Sequence, residues 1–126
     1  RRSDEMWLVA FYLARFGESP PDGGAALPPA RFGRRSWDAT YEWFYPFLGG
    51  GREVIPFRNS LKNARDQFDG HIPNSGRVGW REGESADGPA RPPIALSPSA
   101  EAVWSRFGRA SEVEVWTAIQ REVFNP

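Results

Sequence analysis

The chain has 126 residues, 40% of them hydrophobic, 14% aromatic and 25% charged, and its sixteen Lys and Arg balance sixteen Asp and Glu. That size fits one domain, and the apolar supply excludes a wholly disordered chain. The zero charge sum offers no net attraction to nucleic acid or acidic membranes, and the absence of Cys excludes disulfides, thiolate catalysis and Cys-ligated zinc.

Six Trp and nine Phe outweigh a sparse set of Ile, Leu and Val, so the core is expected to be built around rings. His71 is the only imidazole, which leaves no pair of His ligands for a metal within one chain. No cofactor or metal is expected. The run Met6 to Ala14 is about half the length needed to span a bilayer and lacks a secretory cleavage pattern. The chain opens at Arg1-Arg2, and residues 1–126 read as a single domain excised from a larger, cytoplasmic bacterial protein.

Ser3 is expected to cap a first helix running to about Arg15, with Asp4 and Glu5 at its positive end and Gly17 as the stop. Apolar residues surround this segment, which predicts a central helix covered on several sides. Glu18 to Ala30 reads as a Pro- and Gly-rich loop. Ser36 opens a second helix in which Trp37, Thr40, Tyr41 and Phe44 share one face, broadened by Trp43 and Phe47, until Pro46 and Gly49-Gly50-Gly51 end it.

A third helix is predicted from near Pro56 to about Asp69, with Phe57, Leu61, Ala64 and Phe68 as an inward stripe. Gly70 to Gly76 reads as a turn, Arg77 to Arg81 as a short strand, Glu82 to Pro93 as a mobile loop, and Ile94-Ala95-Leu96 as a return strand. A fourth helix follows Ser97-Pro98, and Ser111-Glu112-Val113-Glu114 is a capping-box signal for a terminal helix carrying Val115, Trp116, Ile119 and Val123. The plan is mainly α with a small β-hairpin.

Charge is uneven along this plan. From Arg31 to Arg81 the basic residues are Arg31, Arg34, Arg35, Arg52, Arg58, Lys62, Arg65, Arg77 and Arg81, against Asp38, Glu42, Glu53, Asp66 and Asp69. Arg58, Lys62 and Arg65 share a face of the third helix with Asn59 and Asn63 alongside. Such a face offers phosphate contacts, paired amide bonds to adenine and Arg contacts to guanine. The competing reading is a solvated face linked to Asp66 and Asp69. Arg31, Arg34 and Arg35 could grip phosphate or simply form a basic approach loop, and Arg77 to Arg81 could track a backbone or minor groove. Trp80 either stacks on a base or faces the interior. His71 either bonds near a ligand or serves a turn.

The order of aromatic helix, Gly-rich turn, the helix Phe57 to Phe68 and the strand Arg77-Val78-Gly79-Trp80 resembles a winged-helix DNA-binding domain, a helix-turn-helix type. The similarity covers about 45 residues. It implies that the helix before the hairpin reads the major groove through Asn59, Lys62, Asn63 and Arg65 while the wing contacts flanking DNA. The Gly-rich segment between helices and the two helices after the wing depart from that pattern. An aromatic-rich domain without a catalytic cluster also looks like an accessory reader of modified bases in a modification-dependent restriction enzyme, joined to a separate nuclease domain.

The expected function is therefore double-stranded DNA binding, with recognition of a modified base, no catalysis by this domain and no membrane contact. The DNA-binding residues expected are Arg34, Arg35, Arg58, Asn59, Lys62, Asn63, Arg65, His71, Arg77, Trp80 and Arg81. The partners are double-stranded DNA and a nuclease or other effector domain of the same protein. The alternative is a protein-interaction or structural module whose exposed rings meet another domain. A third reading, a small enzyme using His71 and a carboxylate, requires both in one pocket. The direction of Arg58, Lys62, Asn63 and Arg65 discriminates: convergence with Arg77 and Arg81 on a wide exposed face favours DNA, and engagement by local acids favours interaction.

Overall fold

The computed structural model describes residues 2–19, 25–73, 77–83 and 91–126. The chain is mainly helical. Helix α1 spans Asp4–Phe16; Ser3 Oγ accepts from the Met6 amide, and Asp4 and Glu5 occupy the first turn. All nine residues from Met6 to Ala14 are buried, so α1 is the central rod expected from its all-round apolar surface.

Helix α2 spans Trp37–Trp43 and is capped by Ser36, and a separate short helix α3 spans Tyr45–Leu48. The single helix expected here breaks at Phe44. Pro46 has no amide hydrogen for the Glu42 carbonyl and its ring crowds that position, so the regular hydrogen-bond ladder is interrupted there.

Helix α4 spans Val54–Asp69, beginning two residues before Pro56. Pro56 is still within the first turn, where amides have no intrahelical partner, so it costs no hydrogen bond. Phe57, Leu61, Ala64 and Phe68 are fully buried, as their spacing predicts. Helix α5 spans Pro98–Phe107, capped by Ser97, whose own amide donates to Gln67 Oε1 on α4 at 2.8 Å. Helix α6 spans Glu112–Ile119 behind the complete capping box of Ser111 and Glu114, and runs into a π-helical turn, Gln120–Phe124.

Helix α1 packs chiefly on α4, with α5 and α6 completing its enclosure. Rings fill the joints. Phe11 meets Phe68 at 5.5 Å and Trp104 at 5.8 Å between centroids, both edge-on, the arrangement that pairs a ring's positive edge with a negative face.

Extended pairing among the described residues is limited to two isolated antiparallel bridges, Glu18 with Leu27 and Arg81 with Pro93. Around the second, the Glu82 amide donates to the Pro92 carbonyl and the Ile94 amide to the Trp80 carbonyl, both at 3.0 Å. Pro92 and Pro93 have no amide hydrogen, so the pairing stops at one bridge where a strand and its return were expected. Residues 20–24 of the first loop, 74–76 of the turn and 84–90 of the loop expected to be mobile lie outside the described residues.

Candidate functional site

The polar side of α4 is held by acids. Arg65 is buried. Its Nη1 donates to the Tyr41 hydroxyl at 2.6 Å and its Nη2 to Asp66 Oδ1 at 3.0 Å, while Nε lies 3.1 Å from Asp69 Oδ2 without hydrogen-bond alignment. The guanidinium also sits 4.3 Å from the Trp37 ring centroid, a cation–π contact. Trp37 is fixed in turn by stacking on Tyr41 and by donating its indole N–H to the Ala26 carbonyl at 3.1 Å.

Arg77 turns the same way. Its Nε donates to Asp69 Oδ1 at 2.9 Å and its Nη2 to the Ala14 carbonyl, one of the four that α1 leaves without an intrahelical partner. Asp69 is fully buried, and a buried carboxylate is tolerated only when paired. Burial pushes the Asp69 carboxyl up from its ordinary value, against the opposing pull of Arg77 and Arg65. Burial likewise raises the Tyr41 phenol. Arg65 and Arg77, expected at a DNA-reading surface, thus turn inward to neutralise Asp69.

The remaining expected residues divide. Arg58 Nη1 donates to Glu42 Oε1 at 2.8 Å, and Lys62 Nζ to Asp66 Oδ2 at 3.2 Å. Arg81 spends its guanidinium on three backbone carbonyls, those of Val78, Arg91 and Gly70, and so knits the bridge to the end of α4. His71 Nε2 donates to the Ile94 carbonyl at 2.7 Å, since a carbonyl can only accept. Trp80 is 36% exposed beside Val78 and Ile94. Asn59 is exposed and Asn63 half-buried. Arg34 and Arg35 are exposed and have no ion pair or hydrogen bond among the described residues. Arg58, Lys62 and Arg65 therefore meet local acids and do not converge with Arg77 and Arg81 on a common open face.

A different surface is open. Trp43 and Phe47, expected to widen the inward face of the second helix, are 37% and 48% exposed. The spacing contained a signal: Trp37, Tyr41 and Phe44 step by four and three residues, so Trp43 stands about 120° off their line. Phe47 follows it outward after the break at Phe44. Both rings are braced from below. Trp43 meets Phe124 at 5.3 Å, Phe32 at 5.8 Å and Trp116 at 6.4 Å, and Phe47 meets Phe124 at 4.7 Å.

One border of this aromatic face carries Arg31, whose guanidinium lies 4.7 Å from the Trp116 ring centroid and bonds Glu112 in bidentate fashion, both contacts at 2.8 Å. Glu112 also accepts from the Tyr12 hydroxyl. The Arg31 hydrogen bonds hold the Glu112 carboxyl below its ordinary value. At the other border a cavity of about 590 Å³ opens between Phe47, Leu48, Arg52 and Val123. The chemistry of this face is stacking and apolar contact, with charge confined to its edge.

Among the described residues, no group of three or more acidic or His side chains is placed to hold a metal ion. Nor is any helix long and apolar enough to cross a membrane. No protein-family model, curated protein or solved structure matches this chain.

Proposed function

We propose that this domain is a protein-interaction module whose contact surface is the aromatic face around Trp43 and Phe47. The observation that carries this reading is that both rings are exposed yet braced by Phe32, Trp116 and Phe124. A rigid exposed Trp supplies large contact area with little conformational entropy left to lose, which is why such residues dominate binding energies at interfaces.

Duplex DNA binding, with or without a modified base, draws less support. It asks the cations of α4 and of residues 77–81 to face phosphate together, and they are engaged by Glu42, Asp66, Asp69 and backbone carbonyls. Freeing Arg65 or Arg77 would leave Asp69 as a buried charge short of a partner. Nothing in this reading assigns the domain a reaction.

The test has two arms. A displayed peptide library is selected on the intact protein, and the recovered peptides are titrated against wild type and Trp43→Ser/Phe47→Ser. Fluorescent duplexes, methylated and unmethylated, are titrated at several salt concentrations. The expected result is peptide binding weakened at least about tenfold by the double substitution, an amount near 1.4 kcal/mol, and negligible duplex binding. Duplex affinity that falls with salt and is lost on Arg34→Glu/Arg58→Glu, with no peptide that depends on Trp43, would overturn the proposal.

A further inference from the structure

A second cavity, of about 360 Å³, opens between α1 and α5 and shares only Glu122 with the one beside Phe47. Its most deeply buried lining residues are carbon, Leu8 and Phe107 at 3% and 8% exposure, and Ala102 and Val103 of α5 extend the apolar wall. A hollow of this size, mostly apolar with a few polar groups, suits a small molecule.

Three charged side chains line it: Asp4, Arg106 and Glu122. Arg106 and Glu122 hold each other through two hydrogen bonds, at 3.1 and 2.7 Å, and Arg121 donates to the same carboxylate from outside the lining. Asp4 has no ion pair or side-chain hydrogen bond among the described residues. It stands one helical turn before Leu8, which puts its carboxylate beside the apolar wall. The other charges adjacent in sequence to lining residues are Glu5 and Glu101, both exposed acids without a partner among the described residues. Arg2, two residues before Asp4, is drawn to the Ser60 carbonyl at 3.0 Å. The uncommitted charge at this cavity is therefore negative.

From this geometry we infer that the cavity between α1 and α5 binds a small hydrophobic amine, with its apolar body against Leu8, Val103 and Phe107 and its ammonium at Asp4. Burial of the body supplies most of the affinity, and the head group supplies the selection, because an exposed ion pair adds little. The site is independent of the aromatic face: neither Trp43 nor Phe47 lines it.

The probes are phenylbutylamine, phenylbutanol and phenylbutyrate, which share one apolar body and differ in the charge of the head. Each is titrated into the full chain and followed by assigned amide NMR. The expected result is saturable binding with shifts centred on Leu8, Val103 and Phe107, the amine about fivefold tighter than the alcohol at low salt and the carboxylate weakest, with the gap closing as salt rises. Asp4→Asn brings the amine to the affinity of the alcohol and leaves the alcohol unchanged. Ala102→Phe fills the cavity and weakens all three. Asp4 and Ala102 are exposed, so both variants are expected to keep the wild-type amide spectrum away from the cavity.

Equal affinity for the three heads overturns the assignment to amines, and so does an amine preference that Asp4→Asn leaves intact. Absence of saturable binding, shifts centred on other residues, or binding that a folded Ala102→Phe variant does not weaken overturns the site itself.

Discussion

Arg77 Nε and Asp69 Oδ1 meet at 2.9 Å with the arginine side chain 8% exposed and the carboxylate fully buried. The pair joins the end of α4 to the segment before the bridge, and through the Ala14 carbonyl it reaches the end of α1. Arg65 approaches the same carboxylate from one helical turn away. One buried charge thereby holds three parts of the chain in register.

Asp69→Asn removes the charge that balances both guanidinium groups and is expected to cost about 3–5 kcal/mol. Lys62→Ala breaks only an exposed pair and is expected to change stability by less than about 1 kcal/mol. Urea denaturation with an unchanged slope and a displaced midpoint measures both. Equal effects would mean that the buried pair is no tie.

Gly79 and Gly33 both have positive φ, +70° and +67°. A Cβ at Gly79 would lie 2.2 Å from the Gly70 amide nitrogen and 2.7 Å from the Asp66 carbonyl oxygen, whereas one at Gly33 meets nothing within 4 Å. Gly33→Ala is expected to cost about 1–3 kcal/mol from backbone strain alone. Gly79→Ala adds overlap with the backbone at the end of α4 and should cost clearly more, to be read as the difference in melting temperature between the two variants.

Glu112 titrates low because Arg31 donates to its charged form. The unfolded chain therefore binds the Glu112 proton more readily than the folded one, and stability rises with pH through that window. The contribution is complete above the ordinary glutamate range and is lost as pH falls through the lowered folded value. Glu112→Gln is expected to reduce stability at neutral pH and to flatten this part of the acid limb, measured as urea midpoints from neutral to acid pH. Asp69, raised by burial, contributes with the opposite sign: its share weakens as pH rises from the ordinary aspartate range toward the folded value.

Most helices are legible in the sequence because their signals are local, the break at Phe44 being the exception. Ser3, Ser36, Ser97 and Ser111 each cap the helix they precede, and the stripe Phe57, Leu61, Ala64 and Phe68 needs only helical spacing to face one way. The exclusion of Cys chemistry is equally independent of folding. Tertiary structure alone decided which charges remain free. Arg65 and Arg77 share a carboxylate across the fold, and Arg58 finds Glu42 on another helix, so a stripe that reads as cationic in one dimension is largely neutralised in three. Trp43 and Phe47 became a surface for a related reason: Phe44 and Phe124 stack on each other, and both outer rings rest against Phe124. Spacing specifies which side chains share a face, but a face is buried or left open only when distant segments compete for the same volume.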